Sequence, residues 1–264
     1  MRNMKDKVVL ITGAGTGIGA AVAAQVVEEG GYAILVGRRL EPIEAVAAKL
    51  NAPDAVMVAA GDAGSAYQMD RIVREAIDRF RRIDAVVAAA GTVETGAVLD
   101  LSDDAWRRQL HSNLDTAYFT AKATLPALIK SKGAFTILSS IAGLQAMPMT
   151  AGYVVAKHAV IGLVRSIAMD YGHEGVRANA VCPGWVKTPM ADEEMQPIMA
   201  REGVSLEGAY AHVTSDVPLR RAGTSDEVAE LCCFLSSDAS RLISGAVMNI
   251  DGGSTVVCVP TLKM

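Results

Sequence analysis

The sequence predicts an α/β fold built as a doubly wound parallel sheet with helices on both faces. Three observations carry this. Short β-branched runs alternate with longer alanine-rich helical patterns, the runs are apolar at nearly every position, and the first leads straight into a glycine-rich loop. Alternation of these two kinds of element gives a parallel sheet, and strands covered on both faces read as continuous apolar stretches.

Strands are expected at residues 8–11, 32–36, 55–59, 84–88, 134–138, 177–181 and 247–250. Helices are expected at 17–29, 41–50, 65–81, 103–130, 153–173 and 225–235. No repeat, low-complexity tract or Pro/Gly/Ser linker divides the pattern, so a single domain spans 1–264. A chain of this size buries roughly 75% of its unfolded surface and needs no disulfide or metal staple. Residues 188–218 break the rhythm with a stretch rich in Met, Glu and Gly. Excursions of that length in a compact domain are usually functional, which predicts a substrate lid with 190–210 as its mobile part.

Composition narrows the partners. Lys and Arg number 25 against 29 Asp and Glu, a net charge of −4, and no basic cluster is present to meet a phosphate backbone. No nucleic-acid partner is expected. The longest apolar runs, such as 85–90, fall well short of the ~20 residues of a membrane span, and 8–11 is too short for a signal-peptide core. No membrane partner is expected. Cys182, Cys232, Cys233 and Cys258 lack C-x-x-C spacing and read as free, buried thiols, consistent with a cytoplasmic location. The histidines lack paired ligand spacing, so no metal site is expected.

The strand at 8–11 runs into Thr12-Gly13-Ala14-Gly15-Thr16-Gly17-Ile18-Gly19 and then a helical pattern. A strand, a glycine loop and a helix start set backbone N–H groups and the positive helix end against a pyrophosphate. Gly13, Gly17 and Gly19 allow the tight turn, the close cofactor approach and the close helix packing.

This G-x-x-x-G-x-G spacing after Thr12 resembles the short-chain dehydrogenase/reductase family, in its single-domain branch of roughly 250 residues. The resemblance runs from Thr12 to Gly253. It is carried, in the family's order, by the loop, Asp62, Ala88–Gly91, Asn113, Ser140, Tyr153-x-x-x-Lys157, Pro183-Gly184 and Asp251-Gly252-Gly253. It implies a Rossmann-like sheet and hydride transfer between a nicotinamide and a small carbonyl or secondary alcohol. A nucleotide-binding regulator or a structural member without turnover is the alternative, but both predict drift at the tyrosine, lysine or serine, and all three stand at their spacing.

Tyr153 and Lys157 are four apart and share one helix face. Hydride transfer needs a proton delivered to or removed from the substrate oxygen. A free tyrosine is a sluggish base near neutrality, but a neighbouring ammonium and the positive oxidised nicotinamide favour tyrosinate. Lowering the phenol far enough takes only about 3–4 kcal/mol of differential stabilisation. Ser140 lies at the carboxyl end of its strand, where ligands of open parallel sheets bind, and alternation turns Ser139 the other way. The resemblance assigns Ser140 to polarise the substrate oxygen and Asn113 to support a water that relays protons from the lysine. Where relatives have Asn-Asn-Ala-Gly, this chain reads Ala88-Ala89-Ala90-Gly91, losing amides that tie the sheet.

The cofactor is expected to contact Gly13, Gly15, Thr16, Gly17, Ile18, Gly19, Arg38, Arg39, Asp62, Ala63, Ala90, Gly91, Tyr153, Lys157, Pro183, Gly184, Val186 and Thr188. Arg38 stands where NAD-dependent relatives carry Asp. Guanidinium favours a 2′-phosphate, so NADP is expected, with NAD as the alternative, and Thr16 lacks the second basic charge of many NADP-dependent relatives. Asp62 is expected on the adenine or as a cap of the following helix. Leu144, Met147, Met149, Trp185, Met190, Met195 and Met199 are expected around the substrate, although Met195 and Met199, at i,i+4, also suit helix packing. Finally, the resemblance implies a homotetramer, with helices 103–130 and 153–173 at one interface and 244–253 at another.

Overall fold

A computed structural model describes residues 4–257. Cys258, expected as a buried thiol, lies outside them. The chain runs β1 (Val8–Thr12), α1 (Gly17–Glu28), β2 (Tyr32–Gly37), α2 (Leu40–Leu50), β3 (Val56–Ala60), α3 (Ala66–Phe80), β4 (Ala85–Ala88), α4 (Asp103–Leu110), α5 (Thr116–Ser131), β5 (Ala134–Leu138), α6 (Ala151–Tyr171), β6 (Arg177–Pro183), β7 (Val186–Lys187), α7 (Pro189–Glu202), α8 (Leu206–Val213), β8 (Gly223–Thr224), α9 (Ser225–Ser236) and β9 (Val247–Ile250).

Seven strands pair in parallel in the order β3-β2-β1-β4-β5-β6-β9, all seven foreseen in the sequence. Alternation splits their side chains between two dry layers. Val8, Leu10, Ile34, Val36 and Val86 pack against Ile72 of α3, Leu128 of α5 and Val164 of α6. Val9, Ile11, Ala33, Leu35 and Val87 pack against Val22 of α1, Ile43 of α2 and Cys232 of α9. Each fully buried aliphatic side chain contributes about 1.5–3 kcal/mol, so the sheet is the rigid base on which the strand ends are held. The order reverses between β1 and β4, and a crevice opens beyond their carboxyl ends.

One expectation needs correction. The single helix expected over 103–130 is interrupted by a π-helical turn, His111–Asp115, because α4 and α5 face different neighbours, α6 and α3 respectively. The excursion 188–218 is largely helical. It holds α7 and α8, whose Met195, Ala191, Ala209 and Tyr210 form a small core of their own beside the sheet domain. Thr188 and Ser205 cap these helices by accepting from Ala191 and Gly208 N–H. Helix α6 is long and apolar enough to cross a membrane by composition, but Ala156, Val160, Ile161, Val164 and Ile167 face the core and it carries the Tyr153/Lys157 pair.

Candidate active site

The residues expected to carry catalysis and to hold the cofactor line one continuous cleft over the carboxyl edge of the sheet. At its centre is the loop between β1 and α1. Gly13 has φ +68°, and a Cβ there would sit 2.9 Å from Ala89 O and Ala90 N, so only glycine lets β1 turn this close to β4. Gly17, with φ +53°, opens α1, and Thr188 Cγ2 lies 3.2 Å from where its Cβ would be. Thr16 occupies the N-cap without a side-chain capping bond, and the first turn of α1 holds no acidic residue. The first-turn N–H groups of α1 therefore face the cleft with the helix's positive end unneutralised. A pyrophosphate fits this cradle in charge and in space. At β4, Ala90 N–H donates to Thr12 Oγ1 at 3.2 Å, one tie across the sheet that survives without the relatives' amides.

Arg38, Arg39, Asp62 and Ala63 line one end of the cleft. Both arginines are exposed, and Arg39 is the extended residue before α2. Arg38 lies close enough to Asp62 to help lower its carboxyl. Asp62 does not cap α3, whose N-cap is Ser65. Its Oδ1 accepts from Gly64 N–H at 2.8 Å and its Oδ2 meets His111 Nε2 at 3.0 Å. Burial works to raise the Asp62 carboxyl, but the hydrogen bonds from His111 and Gly64 prevail and hold it below the usual range. The same bond to Asp62 raises the His111 imidazole. Nothing in the sequence paired these residues, which are 49 positions apart.

Ser140, Tyr153, Lys157 and Asn113 converge at the other end. Tyr153 opens the first turn of α6, with part of its ring accessible and its hydroxyl end desolvated. Burial pushes the phenol up to about 12, against a smaller lowering by a hydrogen bond with Ser140. The expectation that the ammonium lowers this phenol is not met in the protein itself. Lys157 Nζ lies 5.4 Å from the Tyr153 ring centre and donates to Leu138 O at 2.8 Å. Burial also pushes Lys157 down to about 8. Ser140 Oγ accepts from Ala142 N–H at 3.1 Å, while Ser139 turns away and donates to Lys157 O at 2.9 Å, pinning α6 to the end of β5.

Asn113 sits in the π-helical turn. Its Nδ2 donates to Thr92 O at 2.9 Å and Gln109 O at 3.0 Å, and its buried Oδ1 has no partner in the protein. A Cβ on Gly91 would fall 2.7 Å from that oxygen and 3.4 Å from Lys157 Nζ, so glycine keeps open a polar gap between an unfilled acceptor and an ammonium. Such a gap suits a bridging water.

The Pro183-Gly184 turn follows β6, and Gly184 packs against Asp251 at the end of β9. Asp251 accepts from Gly253 and Thr255 N–H, so the Asp-Gly-Gly motif builds a turn. Val186 is buried in β7, and Thr188 Oγ1 caps α7 while its methyl leans toward α1. Of the expected apolar walls, Met147, Trp185 and Met190 line the cleft. Leu144 and Met149 are exposed outside it, and Met195 and Met199 pack in the α7/α8 core. One residue no motif pointed to also lines the cleft, Glu194 of α7, whose carboxyl burial pushes up to about 7.

The family model described as enoyl-(acyl carrier protein) reductase matches residues 13–255. The chain is 44% identical to protein MoaE of Klebsiella aerogenes, over 97% of this chain and 98% of that one. It is 36% identical to meso-2,3-butanediol dehydrogenase of Serratia marcescens, over 95% of each. Among solved structures it resembles the aldohexose dehydrogenase of Thermoplasma acidophilum, with a TM-score of 0.87 and 30% identity across 97% of this chain and 96% of that one. The glycine loop at the reversal of strand order, the tyrosine–lysine pair on α6 and these likenesses agree: the chain belongs to the short-chain dehydrogenase/reductase family, and is an NAD(P)-dependent oxidoreductase.

Proposed function

We propose that the protein interconverts a small secondary alcohol and its ketone with NADP(H), using Tyr153 as acid and base. The observation that carries this is the convergence of Tyr153, Ser140, Lys157 and Asn113 at one end of the cleft, with the orphaned Asn113 Oδ1 facing Lys157 across the space kept by Gly91. Bound nicotinamide supplies or takes up the hydride. Ser140 Oγ orients the substrate oxygen, and Tyr153 Oη gives it a proton during reduction or removes one during oxidation. A phenol held near 12 is fully protonated at neutral pH and ready to donate. Lys157 returns that proton through water held by Asn113 Oδ1. Two of the three named relatives act on meso-2,3-butanediol and on aldohexoses, both small hydroxylated molecules.

The NADP preference rests on Arg38 and Arg39, exposed at the cleft end without an ion pair among the described residues. Charge-assisted contacts to a 2′-phosphate contribute about 1.5–3 kcal/mol, a factor of roughly ten to a hundred. The ratio of kcat/KM for NADPH over NADH is expected to reach that range, to narrow with salt, and to invert in Arg38→Asp. Equal values in the wild type, or an unchanged ratio in the variant, would leave the arginines as solvated surface charges.

The α7/α8 unit is proposed to close over bound substrate as a lid, since its core is separate from the two layers on the sheet. Amide exchange is expected to be faster in 190–210 than in β1 and β4, and slower once ligands bind; protection equal to the central strands without ligand counts against it. Exposed Trp106, Tyr118, Val155 and Met169 on α4, α5 and α6, with Leu242 near β9, support a homotetramer. Light scattering at micromolar concentration should give four chain masses, and one chain mass refutes it. Buried Cys182 and Cys232, outside any disulfide among the described residues, support the reducing cytoplasm as its location.

A further inference from the structure

The proton pathway leaves one ionisable group of the cleft without a task. Glu194 lies one turn beyond Met190 on α7, and both side chains line the crevice that holds Ser140 and Tyr153. The other face of α7 is engaged: Met195 is buried against α8, and Asp192 accepts from the Tyr210 hydroxyl at 2.8 Å. Glu194 itself is half-buried, takes no part in any hydrogen bond or ion pair among the described residues, and sits near enough to Tyr153 for its charge to act on the phenol. Its neighbours along this wall, Ile141, Met147, Trp185 and Met190, are mostly apolar.

A half-buried carboxyl without a protein partner has lost part of its hydration, and a bound ligand that supplies a hydrogen bond offsets that loss. The cofactor's pyrophosphate does not, because its oxygens are anionic acceptors. A substrate carboxylate would be repelled. A substrate ammonium would bring a second cation into the cleft that already encloses Lys157, 5% exposed. A hydroxyl answers both forms of the group, donating to the carboxylate and accepting from the acid. That flexibility matters for a carboxyl that burial holds near neutrality.

We propose that Glu194 is the specificity-determining residue of the cleft, receiving a second hydroxyl close to the reacting carbon, so that neutral hydroxyketones and diols are preferred over simple ketones, keto acids and amino ketones. This rests on the oxidoreductase reading above. A site built to hydrogen-bond a hydroxyl strongly disfavours the analogue lacking it.

The test uses matched pairs differing by one hydroxyl, 2-butanone with 3-hydroxy-2-butanone and 2-pentanone with 3-hydroxy-2-pentanone, and adds aminoacetone and pyruvate. Two quantities are read: kcat/KM with NADPH, and calorimetric affinity of each ketone for the cofactor-free protein, where no hydride can be exchanged. The wild type should favour the hydroxylated member at least tenfold in both. Glu194→Leu should bring the ratio near one, and Glu194→Gln, which keeps an acceptor and a donor, should restore most of it. No preference in the wild type, a preference kept by the leucine variant, or stronger binding of aminoacetone or pyruvate overturns the proposal. If the wild type reduces none of these ketones while the binding ratio still collapses in the leucine variant, the oxidoreductase reading fails and the role of Glu194 stands.

Discussion

Replacing Tyr153 with phenylalanine is expected to lower kcat by roughly 10²–10⁴-fold, the usual contribution of a positioned general acid or base. The variant removes one oxygen atom. The ring still packs in the first turn of α6, and the Lys157 ammonium, 5.4 Å from the ring centre, keeps its bond to Leu138 O. Cofactor affinity, followed by fluorescence titration, should therefore stay within a few-fold of the wild type. A variant retaining more than about a tenth of kcat, well above the range for such a group, would remove Tyr153 from the proton path.

The second large effect is on stability. Burial lowers Lys157 from its ordinary value of 10.5 to about 8, so the folded protein disfavours the charged form relative to the unfolded chain. Below pH 8 the full penalty is present, about 3 kcal/mol at 1.36 kcal/mol per pH unit. Between about 8 and 10.5 the unfolded chain binds the extra proton, and the penalty fades as the pH rises. Lys157→Met removes the buried charge but leaves Leu138 O without its donor, a loss of about 1 kcal/mol. At pH 7 the cofactor-free variant should be more stable by about 1–2 kcal/mol, raising Tm by several degrees, while turnover collapses. The gain should vanish or reverse by pH 10. A variant less stable than the wild type at pH 7 would mean that the ammonium's contacts outweigh its desolvation.

The sheet was legible because its inner strands are dry on both sides. Only Thr136, itself β-branched, departs from the apolar pattern in 32–36 and 134–138, so even the boundaries came within a residue or two. Tyr153, Lys157 and Ser140 were legible because a helix and a strand end convert fixed spacing into fixed direction. The helices of 188–218 were hidden, since α7 carries an internal Pro197 and spreads its apolar residues around the helix instead of along one stripe. The ionisation of Tyr153 was misjudged for a different reason: charges can be counted in a sequence, whereas desolvation exists only once the chain has closed around the phenol. His111 and Glu194 were missed because each acquires meaning from elements far away in the chain.

The π-helical turn at His111–Asp115 makes α4 and α5 one rod with two phases. A π turn holds one residue more than an α turn, and each residue advances a helix by about 100°. Before the turn, the rod buries Ala105 and Gln109, the latter beside Gly152 of α6; after it, Ala117, Ala121, Leu125 and Leu128 reach the core. Deleting one residue within 111–115 would restore an unbroken α-helix, but the two stripes would no longer point where they are needed. If the buried half held its place, Asn113 would swing out of the cleft; if Asn113 stayed, Leu125 and Leu128 would rotate toward water. The extra residue is thus a phase correction that lets one helical rod serve the proton pathway and the interior at once.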